Sequence, residues 1–297
     1  MKQFRHFDHL EKSSKKILLR KAVWGAHYVA FRGEIVAVWC FIVLLFSCLF
    51  ANAQLRQVAK IDTLAKAILV DNLDNVYLLS PKDELLKYDS GGKLRWRYSN
   101  NRFGKLHSID VSDPLRVVLF YNDFQQVQIL NNNLNEITSY SFARNGNLLV
   151  SAVASTNNNG LWIFDRASNM LIKLSGNFTE DIRSANLYQL FGEMIDPKKL
   201  AASDQYVFVQ KKNSEILQFD RFGAYVKTLP IDSLSDFNMT SNIIAYLKNG
   251  QLVKYNLNSF ESSQTKLPVA PPIKQVAVGN KLIVVLTEKA VFLLSDN

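Results

Sequence analysis

Short β-rich segments recur about every 40 residues from residue 55 onward, and this period limits the fold more than any other feature of the sequence. The first unit shows the pattern most fully. Lys66–Asp71, Asn75–Ser80, Glu84–Asp89 and Lys93–Ser99 are each rich in β-branched, aromatic or leucine residues. They are separated by Asp71-Asn72-Leu73-Asp74-Asn75, Pro81-Lys82-Asp83 and Ser90-Gly91-Gly92, whose Asn, Asp and Gly residues supply turn geometry and positive φ. The unit therefore reads as a four-stranded antiparallel meander.

The third segment recurs most regularly. It ends in a large apolar residue followed by Asp, Asn or Ser: Tyr88-Asp89, Leu130-Asn131, Leu174-Ser175, Phe219-Asp220, Tyr255-Asn256 and Leu294-Ser295, at intervals of 42, 44, 45, 36 and 39 residues. The polar residue can open the next turn through its side-chain oxygen. Second strands precede each at a steady offset, over Val76–Leu79, Val117–Phe120, Leu161–Phe164, Tyr206–Val209, Ile243–Tyr246 and Leu282–Val285. A β module of this size cannot cover both its apolar faces alone, so neighbouring modules must stack on it. The spacing predicts an all-β, six-bladed β-propeller rather than a helical solenoid or an open sandwich.

The two ends of the repeat array fit that fold. The sixth unit holds Ile273–Val278, Leu282–Leu286 and Ala290–Leu294 and lacks a fourth strand, while Leu55–Ile61 is a strand in excess ahead of the first unit. An N-terminal strand that completes the last blade would close the ring and pair an edge otherwise open to aggregation. Between the third and fourth units, Gly176 to Asp196 is longer than one strand needs. Leu187, Leu190, Phe191 and Met194 are spaced for a short helix there, in an insertion on one face of the ring.

Residues 1–53 have a different character. They carry a net charge of +5, against +4 for all the rest, and they contain the apolar run Ile35–Phe50. Ala51-Asn52-Ala53 and Gln54 follow that run. Basic residues, a short apolar stretch and a small-x-small triplet make the pattern of a secretory signal peptide, with cleavage expected between Ala53 and Gln54 and Ala51 as the second small residue. The apolar run is shorter than the roughly 20 residues of a comfortable membrane span. An uncleaved anchor helix is the alternative, and in either case the remainder is sent outward. The expected organisation is a basic leader over residues 1–53 and a propeller over residues 54–297, exported to the periplasm or cell envelope.

The leader also holds both cysteines, Cys40 and Cys48, and three of the four histidines, so the propeller region has no cysteine and only His107. Disulfides, thiol nucleophiles and Cys/His zinc sites are thereby excluded from it. It has no Walker-type phosphate loop and no G-x-S-x-G. Asp71-Asn72-Leu73-Asp74 lacks the spacing and closing Glu of a calcium loop and reads as a hairpin turn. Strand alternation sets His107 and Asp110 on opposite faces. No catalytic residue, metal or cofactor is expected.

The first unit, with Asn75-Val76-Tyr77-Leu78 and Gly92-Lys93-Leu94-Arg95-Trp96-Arg97-Tyr98, is similar to the repeats of NHL-type propellers. The stretches Asp110–Phe124, Asn159–Asp165 and Asp220–Thr228 resemble a family of exported propeller proteins of Bacteroidota. That resemblance implies a fold and a compartment and assigns no activity.

Tyr121 and Asp123 close the second strand of one unit, where a loop reaches a face of the ring, and Trp162 and Asp165 hold comparable places in the next. These four are the candidate binding residues, although core packing is the favoured role for Trp162. Arg95-Trp96-Arg97-Tyr98 interleaves cations and aromatics, but the propeller's modest net charge and its export argue against a nucleic-acid partner. The expected function is a non-catalytic binding or scaffold module recognising an envelope protein or polysaccharide. The alternatives are a lyase or glycosidase using carboxylates and tyrosines in the funnel, and a membrane-tethered envelope assembly factor.

Overall fold

The computed structural model describes residues 55–295 apart from 147, 232, 233 and 241. The expected leader and the expected cleavage site at Ala51, Ala53 and Gln54 lie outside the described residues.

The first described strand is β1 (Arg56–Ile61). Five four-stranded antiparallel sheets then follow in chain order. Blade 1 is β2 (Ala67–Val70), β3 (Val76–Leu79), β4 (Leu85–Tyr88) and β5 (Leu94–Tyr98). Blade 2 is β6 (Ser108–Asp110), β7 (Val117–Tyr121), β8 (Gln126–Leu130) and β9 (Glu136–Ser141). Blade 3 is β10 (Val150–Ser155), β11 (Leu161–Asp165), β12 (Met170–Leu174) and β13 (Glu180–Arg183). Blade 4 is β14 (Pro197–Ala202), β15 (Tyr206–Lys211), β16 (Ile216–Asp220) and β17 (Tyr225–Thr228). Blade 5 is β18 (Phe237–Thr240), β19 (Ile243–Lys248), β20 (Gln251–Asn256) and β21 (Ser262–Lys266). The sixth sheet contains β22 (Ile273–Val278), β23 (Leu282–Thr287) and β24 (Val291–Ser295), and β1 lies antiparallel along β24 with Arg56 opposite Ser295 and Ile61 opposite Val291. The fold is an all-β six-bladed propeller with few helices.

The recurring apolar–Asp/Asn/Ser pair has a direct physical cause. Asp89 Oδ1 accepts the N–H groups of Gly91 (3.0 Å) and Lys93 (2.9 Å). Asn131 does the same for Asn133 and Asn135, Ser175 for Asn177 and Thr179, and Asp220 for Phe222 and Ala224. The residue three positions after each of these polar residues has positive φ: Gly92 at 81°, Leu134 at 58°, Phe178 at 61° and Gly223 at 81°. One extra residue then enters the fourth strand, so the pairing register shifts at Tyr88, Leu130, Leu174 and Phe219. The repeat seen in the sequence is a hairpin of one construction used again and again.

Each blade packs its two faces against its neighbours, and the core accordingly divides into six clusters, one per seam. Tyr77, Leu85, Val117 and Leu119 fill the seam between blades 1 and 2. Phe120, Val127, Val153 and Ile163 fill the next, and Trp162, Phe164, Val207 and Phe219 the third. Phe208, Phe237 and Tyr246 lie between blades 4 and 5, and Ala245, Val276 and Val285 between blades 5 and 6. Ile68, Val76, Leu282 and Val284 join the sixth sheet to the first, with Ile61 in the same cluster. Each such side chain contributes roughly 1.5–3 kcal/mol by leaving water.

Polar contacts cross the same seams. Asp74 accepts from the backbone N–H groups of Lys281 (2.9 Å) and Leu282 (3.1 Å). Lys87, itself buried, donates to Asn132 O (2.9 Å) and Oδ1 (2.5 Å) and lies over the Tyr77 ring. Burial holds its ammonium pKa below the usual lysine range, against the pull of Asp71. Gln125 exchanges hydrogen bonds with the backbone of Val150, and Asn169 with that of Ile195. Asn238 accepts from Val278 N–H across the seam between blades 5 and 6.

The insertion between blades 3 and 4 contains a helix, as its spacing predicts, but only over Leu187–Phe191. A second one-turn helix, Phe142–Asn145, links blades 2 and 3. We call these α2 and α1 in chain order.

Candidate functional site

The first strand of every blade faces a common central channel, because the fourth strands, with mostly exposed residues, form the outer rim. The channel encloses a cavity of about 330 Å³ bordered by residues of β2, β6, β10, β14, β18 and β22. Its walls are largely small or aliphatic, among them Ala67, Leu69, Ile109, Val153 and Ala201. The ionisable side chains bordering it are His107, Asp110, Lys198, Lys199 and Asp236.

These groups are tied into the seams. Asp236 Oδ1 accepts from Lys199 Nζ at 2.9 Å, and its Oδ2 accepts from Gln275 Nε2 at 3.0 Å. Gln275 Oε1 in turn accepts from Ile68 N–H, so one chain of bonds runs from blade 4 through blade 5 and the sixth sheet to blade 1. Lys198 Nζ donates to the carbonyl of Ser235. Asp110 accepts from Ser112 N–H (2.8 Å) and from Ser155 N–H of the next blade (2.7 Å). His107 is exposed, precedes β6, and meets the ring of Phe120 edge-on at 5.8 Å.

A second cavity of about 610 Å³ opens where the first and second strands are joined by turns. Side-chain oxygens dominate its border: Asp71, Asn72, Ser112, Asp113, Ser155, Thr156 and Asp204. Asp71 caps its own turn, accepting from Leu73 and Asn75 N–H and from the Tyr77 hydroxyl at 3.0 Å. The Tyr77 hydroxyl is consequently held well above the ordinary tyrosine range, first by burial and then by Asp71. Arg116 runs through the seam to Gly160 O (3.0 Å). Burial lowers its guanidinium pKa, while Asp113 and Asp110 raise it. Among the described residues no group of three or more His, Cys, Asp or Glu side chains is arranged to hold a metal.

The four candidate binding residues stand at separate places. Tyr121 is buried in the seam of blades 1 and 2, edge-on to Phe103 at 5.6 Å. Its hydroxyl is pushed up to about 12 by burial, which outweighs the opposing hydrogen bond with Tyr98. Trp162 is a core residue between blades 3 and 4. Asp165 is buried and organises the turn after β11, accepting from Leu149 N–H (3.0 Å) and from Ser168 N–H (3.0 Å) and Oγ (2.5 Å). Asp123 alone is exposed, in the turn after β7. The cluster around His107, Lys199 and Asp236 has no sequence signature, because its members lie up to 129 positions apart. What they share in sequence is a place at or just before a first strand.

The class is thus a six-bladed β-propeller, and the chain is similar in fold to several solved structures. The chain is similar to the virginiamycin B lyase of Staphylococcus aureus at 12% identity and TM-score 0.52, covering 82% of this chain and 99% of that one. It is similar to the WD40 domain of Neurospora crassa Pan2 at 9% identity and TM-score 0.56, covering 83% and 97%. PorZ of Porphyromonas gingivalis matches at 12% identity and TM-score 0.52, over 78% of this chain and 31% of that one. No protein-family model matches the sequence, and no curated protein does. At these identities the likeness establishes the fold.

Proposed function

We propose that the chain is an exported, non-catalytic binding module of the cell envelope, in which a rigid propeller presents a turn face to a protein or polysaccharide partner. The observation that carries this reading is the use made of the carboxylates bordering the two cavities. Asp71, Asp110 and Asp236 each accept two or more hydrogen bonds from turns or neighbouring blades. They serve as joints of the ring, and a carboxylate so occupied is poorly placed to act as acid, base or nucleophile. The module needs no cofactor.

Export rests on the leader, with Ala51 and Ala53 preceding a first mature residue Gln54. PorZ, described as an essential surface component of a type-IX secretion system, is a protein of this fold working in such a compartment. Kinship with exported NHL-like propellers of Bacteroidota belongs to the same reading. β1 acts as the latch of the ring, completing the sixth blade beside β24 and adding Ile61 to the seam with blade 1. Contact with a membrane arises only through an uncleaved leader, as in an assembly factor. Asp123 and the turn held by Asp165 lie on the binding face, while Tyr121 and Trp162 support it from within.

Fractionating the native cells and sequencing the protein's N-terminus tests export: Gln54 as first residue in the envelope fraction is expected. Recovery from the cytoplasm with the leader intact overturns it. One observation favours a second reading, a lyase: His107 borders the cavity, and the virginiamycin B lyase is inactive when a histidine is replaced by alanine. Loss of a measured lyase activity in His107→Ala, with folding intact, would establish it.

A further inference from the structure

The ring has one face made by the turns after second strands and by the connections between blades, and this face carries an apolar crest. Phe124, Leu149, Tyr188, Leu190 and Met194 are each between 49% and 56% exposed. They belong to segments bonded to one another in sequence around the ring. The turn holding Phe124 is joined to α1 and to Val150, since Phe142 N–H donates to Gln125 O and Gln125 bonds the Val150 backbone. Leu149 is joined to the turn after β11 through Asp165 and through Arg166 N–H. That turn is joined to α2 by Asn186 Nδ2 to Ser168 O and by Leu187 N–H to Asn169 O. Asn169 also holds Ile195, next to Met194.

α2 turns Leu187 and Phe191 into the seam and leaves Tyr188 and Leu190 outward. Packing requires none of the outward residues, and a loop of this kind would ordinarily be polar. The charges beside the crest are unequal. Glu193 is engaged by Lys211 at 2.5 Å and Asp196 by Lys212, and Asp123 lies beside Gly104, next to Lys105. Arg144 and Arg166, both exposed and flanking Leu149, have no carboxylate partner among the described residues.

We infer that this crest docks a segment of another protein that combines apolar side chains with Asp or Glu, the carboxylates pairing with Arg144 and Arg166. The inference rests on the reading of the propeller as a binding module and names the face and the partner's chemistry. A polypeptide fits better than an anionic membrane. The described chain begins at Leu55 on the opposite face, where Arg56 pairs with Ser295.

The test places a photo-crosslinking phenylalanine analogue at Tyr188 or Leu190 in the full-length chain, in its native cells, with control sites at Asn72 on the opposite face and Trp96 on the outer rim. Adducts at Tyr188 and Leu190 to a protein segment rich in Asp or Glu are expected. Their yield should fall about tenfold or more in R144E/R166E, as like charges repel, with export and thermal melting of the variant unchanged. Adducts to phospholipid, to this chain's own leader or to a segment without acidic residues overturn the inference, as does a yield indifferent to the charge reversal. Adducts at Asn72 but none at the crest overturn it while leaving the binding module standing. No adduct at any site overturns both.

Discussion

At the residue scale, the joint between the first and last blades depends on two small features. Asp74, at φ 62°, places its carboxylate against the N–H groups of Lys281 and Leu282. Gly279 sits over the same carboxylate, and a Cβ there would meet Asp74 Oδ1 and Val70 Cγ1. Asp74→Gly keeps the backbone conformation and removes only the bonds, so a loss of about 1–3 kcal/mol in denaturant unfolding is expected. Gly279→Ala should cost about as much through overpacking. Because both act on one joint, the double variant should fall short of the sum, as a double-mutant cycle will show. Tyr121 makes a prediction in pH. Its hydroxyl is raised from 10.0 to about 12 in the fold, so the protonated phenol contributes stability that is complete below pH 10 and is lost as pH rises through 12. Wild type should therefore lose more stability between pH 10 and 12 than Tyr121→Phe, measured by denaturant midpoints across that range.

At the element scale, β1 is the strand to remove. Deleting residues 55–61 exposes the edge of β24 and takes Ile61 from its seam. A free edge templates pairing with other chains. The shortened chain should melt lower and form dimers or larger species by light scattering, whereas a monomer of unchanged stability would show that β1 is dispensable. Most of the strands were legible in the sequence for a local reason. A side-chain oxygen, three intervening residues and a positive φ fix each hairpin within its own few residues, as at Asp89–Lys93 and Asp220–Ala224. α2 was legible only as a longer helix, since its apolar spacing extends to Met194 while Gly192, at φ 73°, ends it. The candidate binding residues were less legible. Position at a strand end does not distinguish Asp165, which is consumed by its own turn, from Asp123, which is exposed.

At the scale of the whole molecule, every blade lends a face to two neighbours, so no blade keeps its core when another is lost. One cooperative transition is expected, with circular dichroism and tryptophan fluorescence coinciding. Phe208→Ala, in the seam of blades 4 and 5, should lower that single transition by about 3–5 kcal/mol rather than split it. Both cysteines lie at positions 40 and 48, so a reducing agent should leave the melting temperature of the propeller unchanged.

The amino-acid sequence by itself determined the number of blades, the turn chemistry and the contrast between a basic N-terminal stretch and a β-rich remainder. Those properties depend on residues close together in the chain. Only the tertiary structure decided which polar side chains are joints and which are free. Asp236 gains its meaning from Lys199 and Gln275, one blade away on either side, and Arg166 is left exposed beside Leu149 with no carboxylate partner among the described residues. Side chains meet across a seam because of where the ring places them, and no local pattern records that placement.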